Sequence, residues 1–79
     1  MKKSLANRKH KRYLTLLRLV RTDKGLRQRD VAERLAQPQS FVSKYESGER
    51  RLDLLELEQV CEACNTDLGA FVARYRDSS

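Results

Sequence analysis

The sequence has few of the residues that build catalytic sites. Among its 79 residues there is no tryptophan, and the single histidine, His10, lies in a strongly basic stretch. A Ser/His/Asp or Cys/His arrangement needs a positioned histidine, which this context does not favour. Three scattered glycines form no glycine-rich phosphate loop. A chain of this length buries only a modest core, so we expect one domain and no enzyme with a deep cleft.

Cysteine is also scarce. Cys61 and Cys64 form the pattern CEAC, which within a helix places them on neighbouring turns of one side. A zinc site would need further ligands with paired spacing, and none is present. We therefore predict no metal, no cofactor and no redox function, and we interpret Cys64 as a small core residue, because free cysteine is readily buried.

Long apolar runs are missing as well. No stretch of eighteen or more apolar residues occurs, and the basic first residues lack the apolar segment of a signal peptide. We expect a soluble, cytoplasmic protein with no membrane partner.

Acidic residues are absent from residues 1–12, which carry the whole net charge of +6. The basic residues of this segment are Lys2, Lys3, Arg8, Lys9, Lys11 and Arg12. An anionic partner is therefore plausible from charge. Three interpretations of this N-terminal arm stay open: a disordered solubilising tail, the start of the first helix, or a non-specific phosphate or minor-groove contact.

Apolar spacing at helical period predicts five helices and no strand. The first runs from about residue 8 to Lys24, and Gly25 supplies a left-handed stop. The second covers Gln28 to Leu35. Their predicted core positions are Tyr13, Leu17, Val20, Val31, Ala32 and Leu35.

Turn and cap residues delimit the other three helices. Their signals are Pro38 and Gly48 for the third, Asp53, Glu56 and Asn65 for the fourth, and Asp67 for the fifth. Predicted inward positions are Val42, Tyr45, Leu54, Leu57, Val60, Cys61, Cys64, Phe71, Val72 and Tyr75. The expected fold is an all-α, compact five-helix bundle, with a domain over residues 13–76 and a frayed tail over 77–79.

The second and third helices are separated only by Ala36 and Gln37, with Pro38 at the junction. Helices joined this closely cross steeply, as in a helix-turn-helix, here residues 28–46. The outer face of the third helix then carries Gln39, Ser40, Ser43 and Lys44. Amides, hydroxyls and one cation match the donors and acceptors of base edges in the major groove.

The stretch "GLRQRDVAERLAQPQSFVSKYESGERR" resembles the phage-repressor and Cro-like (XRE-type) helix-turn-helix family, and the resemblance covers about residues 13–75. It implies the five-helix fold of the lambda-repressor-like DNA-binding domain. It also implies a protein that binds operator DNA, commonly as a dimer, with its third helix in the major groove.

The resemblance also implies site residues. Gln39, Ser40 and Lys44 match base-reading positions, and Phe41 and Ser43 flank them. Gln28 matches a phosphate-clamping glutamine, and Arg50 and Arg51 lie where the following loop meets phosphate; Arg27 could also reach phosphate. Arg21 and Glu46 match a partly buried ion pair.

This chain departs from the family pattern at four positions. Ala36 replaces the turn glycine, which should cost about 1 kcal/mol if the backbone is left-handed there. Arg27 and Pro38 replace the caps of two helices, at about 1 kcal/mol each. Phe41 replaces a small polar residue; it either touches thymine methyl groups or folds back beside Tyr45.

We therefore predict a sequence-specific double-stranded DNA-binding transcriptional regulator, acting as a homodimeric repressor. The alternative is an antitoxin-like interaction module whose main, toxin-like partner is another protein. Apolar residues beyond the needs of a small core could form either interface: Leu14, Leu16, Leu19, Phe71 and Val72. The fifth helix is the first choice for a dimer interface, and the first helix is the second.

Overall fold

The computed structural model describes residues 2–77, with side chains from residue 7 onward, and this part of the chain contains five α-helices and no strand. The helices are α1 (Lys2–Thr22), α2 (Gln28–Leu35), α3 (Gln39–Ser47), α4 (Leu54–Ala63) and α5 (Leu68–Asp77). The predicted all-α five-helix fold is confirmed. Of the predicted tail, Asp77 ends α5, and residues 78 and 79 lie outside the described residues.

Helix α1 is longer at its start than the sequence predicted. It begins at Lys2, not near residue 8, and ends at Thr22, before Lys24. The segment from 2 to 22 contains no glycine or proline and is rich in residues that favour helix, so nothing in the backbone interrupts it. The charge pattern that marked an arm carries no information on backbone conformation. The basic residues up to Arg12 therefore belong to a helix that is continuous with the core.

The chain reverses direction at left-handed residues. Gly25 and Gly48 follow α1 and α3 with φ of 69° and 86°, and Asn65 follows α4 with φ of 61°. A β-carbon on Gly48 would lie 2.9 Å from Leu14 Cδ1 and 3.3 Å from His10 Nε2. The positive φ favours glycine there, and a larger residue would also have to displace the ends of the Leu14 and His10 side chains. This contact places the N-terminal half of α1 beside the C-terminal end of α3.

The capping residues predicted for the last two helices act as expected. Asp53 accepts from the Glu56 amide at 2.8 Å, and Glu56 accepts from the Asp53 amide at 3.0 Å, a capping box at the start of α4. Asp67 accepts from the Ala70 amide at 2.8 Å at the start of α5. These side chains satisfy amides that the helices leave unpaired, and so fix where each helix begins.

The core lies where all five helices meet. Its buried members are Leu16, Leu17, Val20, Val31, Ala32, Val42, Tyr45, Val60, Cys61, Cys64 and Phe71. Leu16 and Phe71, which the sequence offered as surplus apolar surface, are core residues, whereas Leu19 and Val72 are exposed.

Two predicted inward positions are wrong. Leu54, assigned to the apolar face of α4, is 66% exposed, and Val72, assigned to the inner face of α5, is 44% exposed. The later turns of α4, with Val60 and Cys61, are buried. Helical periodicity gives Leu54 the direction of its buried neighbours, but in the first turn of α4 the bundle provides nothing to cover it. Val72 follows the buried Phe71 and therefore points away from the core.

Candidate nucleic-acid interface

The connection between α2 and α3 is a tight turn built on Ala36. Its φ is 55° and its ψ is 42°, the left-handed conformation expected at this position. The amides of Ala36 and Gln37 return to α2, to Glu33 O at 3.1 Å and Ala32 O at 2.9 Å. These bonds satisfy the C-terminal carbonyls of α2 and offset the strain of a non-glycine residue. Pro38 follows as the N-cap of α3, without a side-chain cap.

Helix α3 has two chemically distinct faces. Val42, Tyr45 and Glu46 are buried against the bundle. The opposite face is exposed and carries an amide, two hydroxyls and an ammonium group: Gln39, Ser40, Ser43 and Lys44. Because these four side chains are exposed, α3 presents donors and acceptors to solvent.

Arg21 and Glu46 form a two-bond ion pair between α1 and α3. Arg21 Nε lies 2.6 Å from Glu46 Oε2, and Nη2 lies 2.9 Å from Oε1. A third donor, Nη1, reaches Leu26 O at 3.0 Å in the loop after α1. The side chains are only 12% and 2% exposed. The hydrogen bonds to Glu46 raise the pKa of Arg21, so this guanidinium stays charged.

Gln28 joins this ion pair to the tip of α3. Its Nε2 donates to Glu46 Oε1 at 3.1 Å, and its Oε1 accepts from Gln39 Nε2 at 3.4 Å. A carboxylate only accepts hydrogen bonds, so Gln28 must turn its amide nitrogen to Glu46 and its oxygen to Gln39. The buried charge therefore sets the orientation of both amides.

Arg27 is held at the start of α2 by Asp30. Its Nε and Nη2 lie 3.1 Å and 3.2 Å from the Asp30 carboxylate, which also accepts from the Arg27 amide at 2.7 Å. These hydrogen bonds lower the pKa of Asp30. Asp30 thus holds both the amide and the side chain of Arg27, although no side chain caps the first amides of α2, and the Arg27 side chain stays 63% exposed.

Arg50 and Phe41 contact each other. The Arg50 guanidinium lies 4.7 Å from the Phe41 ring centre, and the Phe41 ring meets Tyr45 edge-on at 5.6 Å. Arg50 also bonds both oxygens of Glu56, at 2.8 Å and 3.2 Å, and the Arg51 carbonyl at 3.1 Å. Of the two alternatives for Phe41, the structure has the one in which it folds back beside Tyr45. Arg50 braces the loop before α4.

Arg51, the next residue, is exposed and makes no ion pair among the described residues. Its side chain lines a groove together with Lys9 and His10 of α1. Arg8 and Lys11, elsewhere on the same stretch of α1, are exposed. The C-terminal side of α3 is therefore flanked by positive charge from both the loop and α1.

The cysteines are packed into the core and are free. Burial raises the pKa of Cys61 to about 11 and also raises the pKa of Cys64, so both are neutral thiols near neutral pH. Within the described residues no group of three or more histidine, cysteine or acidic side chains is arranged to hold a metal ion.

Comparisons with known proteins extend this picture. The helix-turn-helix family model HTH_3 matches residues 17–71, from the middle of α1 into α5. The chain belongs to the XRE-type helix-turn-helix family. A solved structure described as an XRE-family like protein from Pseudomonas syringae pv. tomato str. DC3000 is 37% identical, with a TM-score of 0.87. The match covers 99% of this chain and 95% of that chain. No curated protein matches the chain.

Membership in the XRE family indicates that the chain is a DNA-binding transcriptional regulator, since this family binds double-stranded DNA. The exposed face of α3 belongs to the helix that enters the major groove in helix-turn-helix proteins. Across residues 2–77, no helix is long and apolar enough to cross a membrane.

Sequence reasoning missed three features of this XRE domain. It did not foresee that Glu56 would hold Arg50, that His10 would lie against Gly48, or that the leucines opening α4 would be exposed. The Asp53 and Glu56 cap was visible in the sequence, but its carboxylate's second role with Arg50 was not. Phe41 was noted as an unexpected aromatic residue, but its contact with Arg50 was not foreseen either.

Proposed function

We propose that this chain is a sequence-specific regulator that binds operator DNA as a homodimer and represses transcription. One observation carries the proposal: the four polar side chains on the outer face of α3 are all exposed, while the same helix buries Val42 and Tyr45. Such a helix is held rigidly by its inner face and is free to enter a major groove with its outer face.

Gln39 is the residue we assign to a base. One hydrogen of its Nε2 is directed to Gln28 at 3.4 Å, which leaves the second hydrogen and Oε1 for a partner. Those two groups are what a bidentate contact to adenine requires, a donor for N7 and an acceptor for N6. Ser40 and Lys44 complete the base-reading set, and Ser43 lies beside them. Phe41 takes no part in reading, because its ring is stacked between Tyr45 and Arg50.

Phosphate contacts set the position of α3 in the groove. Arg51 is exposed in the loop that follows α3, and Arg27 projects at the start of α2, where backbone amides also favour an anion. Gln28 Nε2 donates one hydrogen to Glu46, and its second hydrogen is available to donate to a phosphate. Arg50 is left out of this set, since it bonds Glu56 and the Arg51 carbonyl and also lies over the Phe41 ring. Arg27 is kept although it pairs with Asp30, because its side chain is more exposed, 63% against 40% for Arg50.

Two-fold symmetry of a homodimer would place two α3 helices on successive turns of one face of the duplex. The half-sites are then expected about 34 Å apart, centre to centre. Selection of bound duplexes from a random pool, with the mass of the complex measured alongside, tests specificity and stoichiometry together. An enriched inverted repeat bound by two chains supports the proposal, whereas a pool that stays random after repeated rounds contradicts it.

Gln39→Ala gives the sharpest single test of the reading face. Removing a bidentate base contact should weaken binding to the selected site by about 1–3 kcal/mol and relax preference at one base pair. Gln59→Ala is the matched control, because Gln59 is an exposed glutamine of α4. Binding constants for the selected site and its single-base variants are the measurement. Equal weakening on every sequence would show that Gln39 does not read a base.

A further inference from the structure

The most exposed large apolar side chains in the described part of the chain lie in the first turn of α4. Leu54 and Leu55 are 66% and 70% exposed, far more than Leu19 or Val72. They are adjacent in sequence, so they form one projecting apolar tip, and the acidic residues Asp53 and Glu58 flank it. Exposed apolar surface bordered by charge is typical of an interaction site.

A complementary depression lies on the same side of the bundle, between α1, α4 and α5. We call it the tyrosine groove; it is lined by Tyr13, Leu57, Phe71, Val72 and Tyr75. Its volume is about 210 Å³. Apolar cavities of about 150 Å³ take up benzene, so this groove, which is open to solvent on one side, has room for one leucine side chain inside it and a second at its mouth.

Basic residues border the tyrosine groove. At one end it meets a second depression that shares Tyr13 and Tyr75 and includes Lys9 and Arg51. The Arg12 guanidinium lies 4.4 Å from the Tyr75 ring centre. Neither Lys9 nor Arg12 forms an ion pair within the described residues, and Arg12 Nε is buried without a hydrogen-bond partner. The groove therefore offers apolar surface bordered by positive charge that no acidic side chain among the described residues neutralises, and the tip of α4 offers apolar surface with negative charge.

We propose that a second copy of this chain fills the tyrosine groove with its Leu54 and Leu55, and places Asp53 and Glu58 near Lys9 and Arg12. Charge complementarity indicates a second copy as the occupant, because this one chain carries both an apolar tip with acidic neighbours and an apolar groove with basic neighbours. The tip and the groove also share α4, since Leu57 of the groove is one turn beyond Leu54. Features this close together can pair reciprocally across a two-fold axis, so that each copy supplies a tip and a groove.

This inference rests on the proposed function, because it supplies the surface for the proposed homodimer. It differs from both interfaces expected from the sequence, since the projecting element is α4, while α5 and α1 contribute only the walls of the groove. Arg51, which we assign to phosphate, lies at the edge of the proposed contact.

The test is the mass of the full-length chain in solution, without DNA, over a wide range of concentration. We expect a monomer–dimer equilibrium for the unmodified chain. Leu54→Ser combined with Leu55→Ser should raise the dimer Kd by at least about a thousandfold, because four leucines, two from each copy, are lost from the contact. Val72→Lys, which changes the groove instead of the tip, should also dissociate the dimer. Both sites are exposed in one copy, so circular dichroism should show unchanged helix content.

Leu19→Ser is the matched control, because Leu19 is a partly exposed leucine on α1 outside the groove. A dimer that survives the Leu54/Leu55 double change, or that Leu19→Ser dissociates in its place, overturns the inference. A chain that stays monomeric at every concentration also overturns it, and leaves a protein of different sequence as the occupant. Binding to duplex DNA is measured separately: a monomer that still selects a half-site keeps the regulator proposal, whereas a dimer that ignores DNA removes that proposal and keeps this inference.

Discussion

The adjacent residues Arg50 and Arg51 have different surroundings in the structure. Arg50 and Arg51 belong to the same basic run, and the sequence gives no reason to separate them. In the structure Arg50 bonds both oxygens of Glu56 and stacks on Phe41, and these hydrogen bonds lower the pKa of Glu56. Arg51 is exposed and has no such partners among the described residues. We therefore assign Arg50 to the loop and Arg51 to DNA phosphate.

Arg51→Ala and Arg50→Ala should be distinguishable by the salt dependence of DNA binding. Removing the cation that meets phosphate at Arg51 should weaken binding evenly on all sequences and flatten the slope of log K against log salt by about one unit. Arg50→Ala should lower the unfolding midpoint and leave that slope unchanged. Titrations at several salt concentrations, together with thermal melts, measure both effects. The reverse pattern would mean that Arg50 leaves Glu56 when DNA binds.

At the scale of the element, α1 combines two functions along its length. Its C-terminal half supplies Leu17 and Val20 to the core and Arg21 to the ion pair. Its N-terminal half extends the helix beyond the core and lies beside the end of α3, where His10 approaches Gly48. A helix holds its charges in fixed places, whereas a flexible tail would not. We therefore propose that the exposed basic residues Arg8 and Lys11 of α1 contact phosphates beside the groove that α3 would enter.

Exposed basic residues of α1 should strengthen non-specific binding. Arg8→Ala combined with Lys11→Ala is expected to lower affinity for random duplex and flatten the salt slope by up to about two units, one for each phosphate that is no longer neutralised. Choice among sites should change little, because phosphate contacts carry no direct sequence information. Lys24→Ala, which changes an exposed lysine just beyond the opposite end of α1, is the control. Random-duplex binding as strong as that of the unmodified chain would make this half of α1 a solvated extension only.

At the scale of the whole molecule, one ion pair connects three parts of the bundle. Arg21 on α1 bonds Glu46 on α3 and the carbonyl of Leu26 in the loop between α1 and α2. Glu46 also accepts from Gln28, so the same carboxylate fixes α2. Because Glu46 is only 2% exposed at its side chain, it cannot exchange these partners for water. The position of the reading face thus depends on a charge inside the bundle.

Arg21→Met should be strongly destabilising. Removing one partner leaves a buried, uncompensated carboxylate, at a cost of about 3–5 kcal/mol, a large part of the stability of so small a domain. Arg74→Met is the control, since Arg74 pairs with Asp23 at 2.6 Å on the surface with both side chains more than 40% exposed. That change should cost about 0–1 kcal/mol. Urea unfolding measures both, and similar reductions in stability in the two variants would contradict the role of burial.

The helices themselves were largely predictable because their signals are local. Each of these signals acts on backbone only a few residues away, so local sequence indicates where helices begin and end. The signals are Gly25, Gly48, Asn65 and the Asp53–Glu56 cap. The left-handed conformation of Ala36 was indicated only by the family resemblance, which places a turn glycine at this position. The first helix was expected from about residue 8 and begins at Lys2, so of the interpretations left open for the basic arm the structure has the start of the first helix.

The sequence predicted which side chains of α3 point outward, but it did not predict the hydrogen bonds that these side chains make. The period of the helix separates Val42 and Tyr45 from Ser40 and Lys44 without any knowledge of the fold. The bond from Gln39 to Gln28 joins positions eleven residues apart, and that from Gln28 to Glu46 joins positions eighteen apart. Distances of that kind follow from how the helices cross.

By itself the sequence determined the five helices, the turn that joins α2 to α3, and the polar outer face of α3, because each depends on residues close together along the chain. Only the tertiary structure decided that Phe41 stacks under Arg50, that Leu54 and Leu55 project from α4, and that α1 borders the end of α3. Burial and pairing depend on which distant element arrives at a given side chain. Helical period gives a side chain its direction, but the packed bundle determines what that side chain meets.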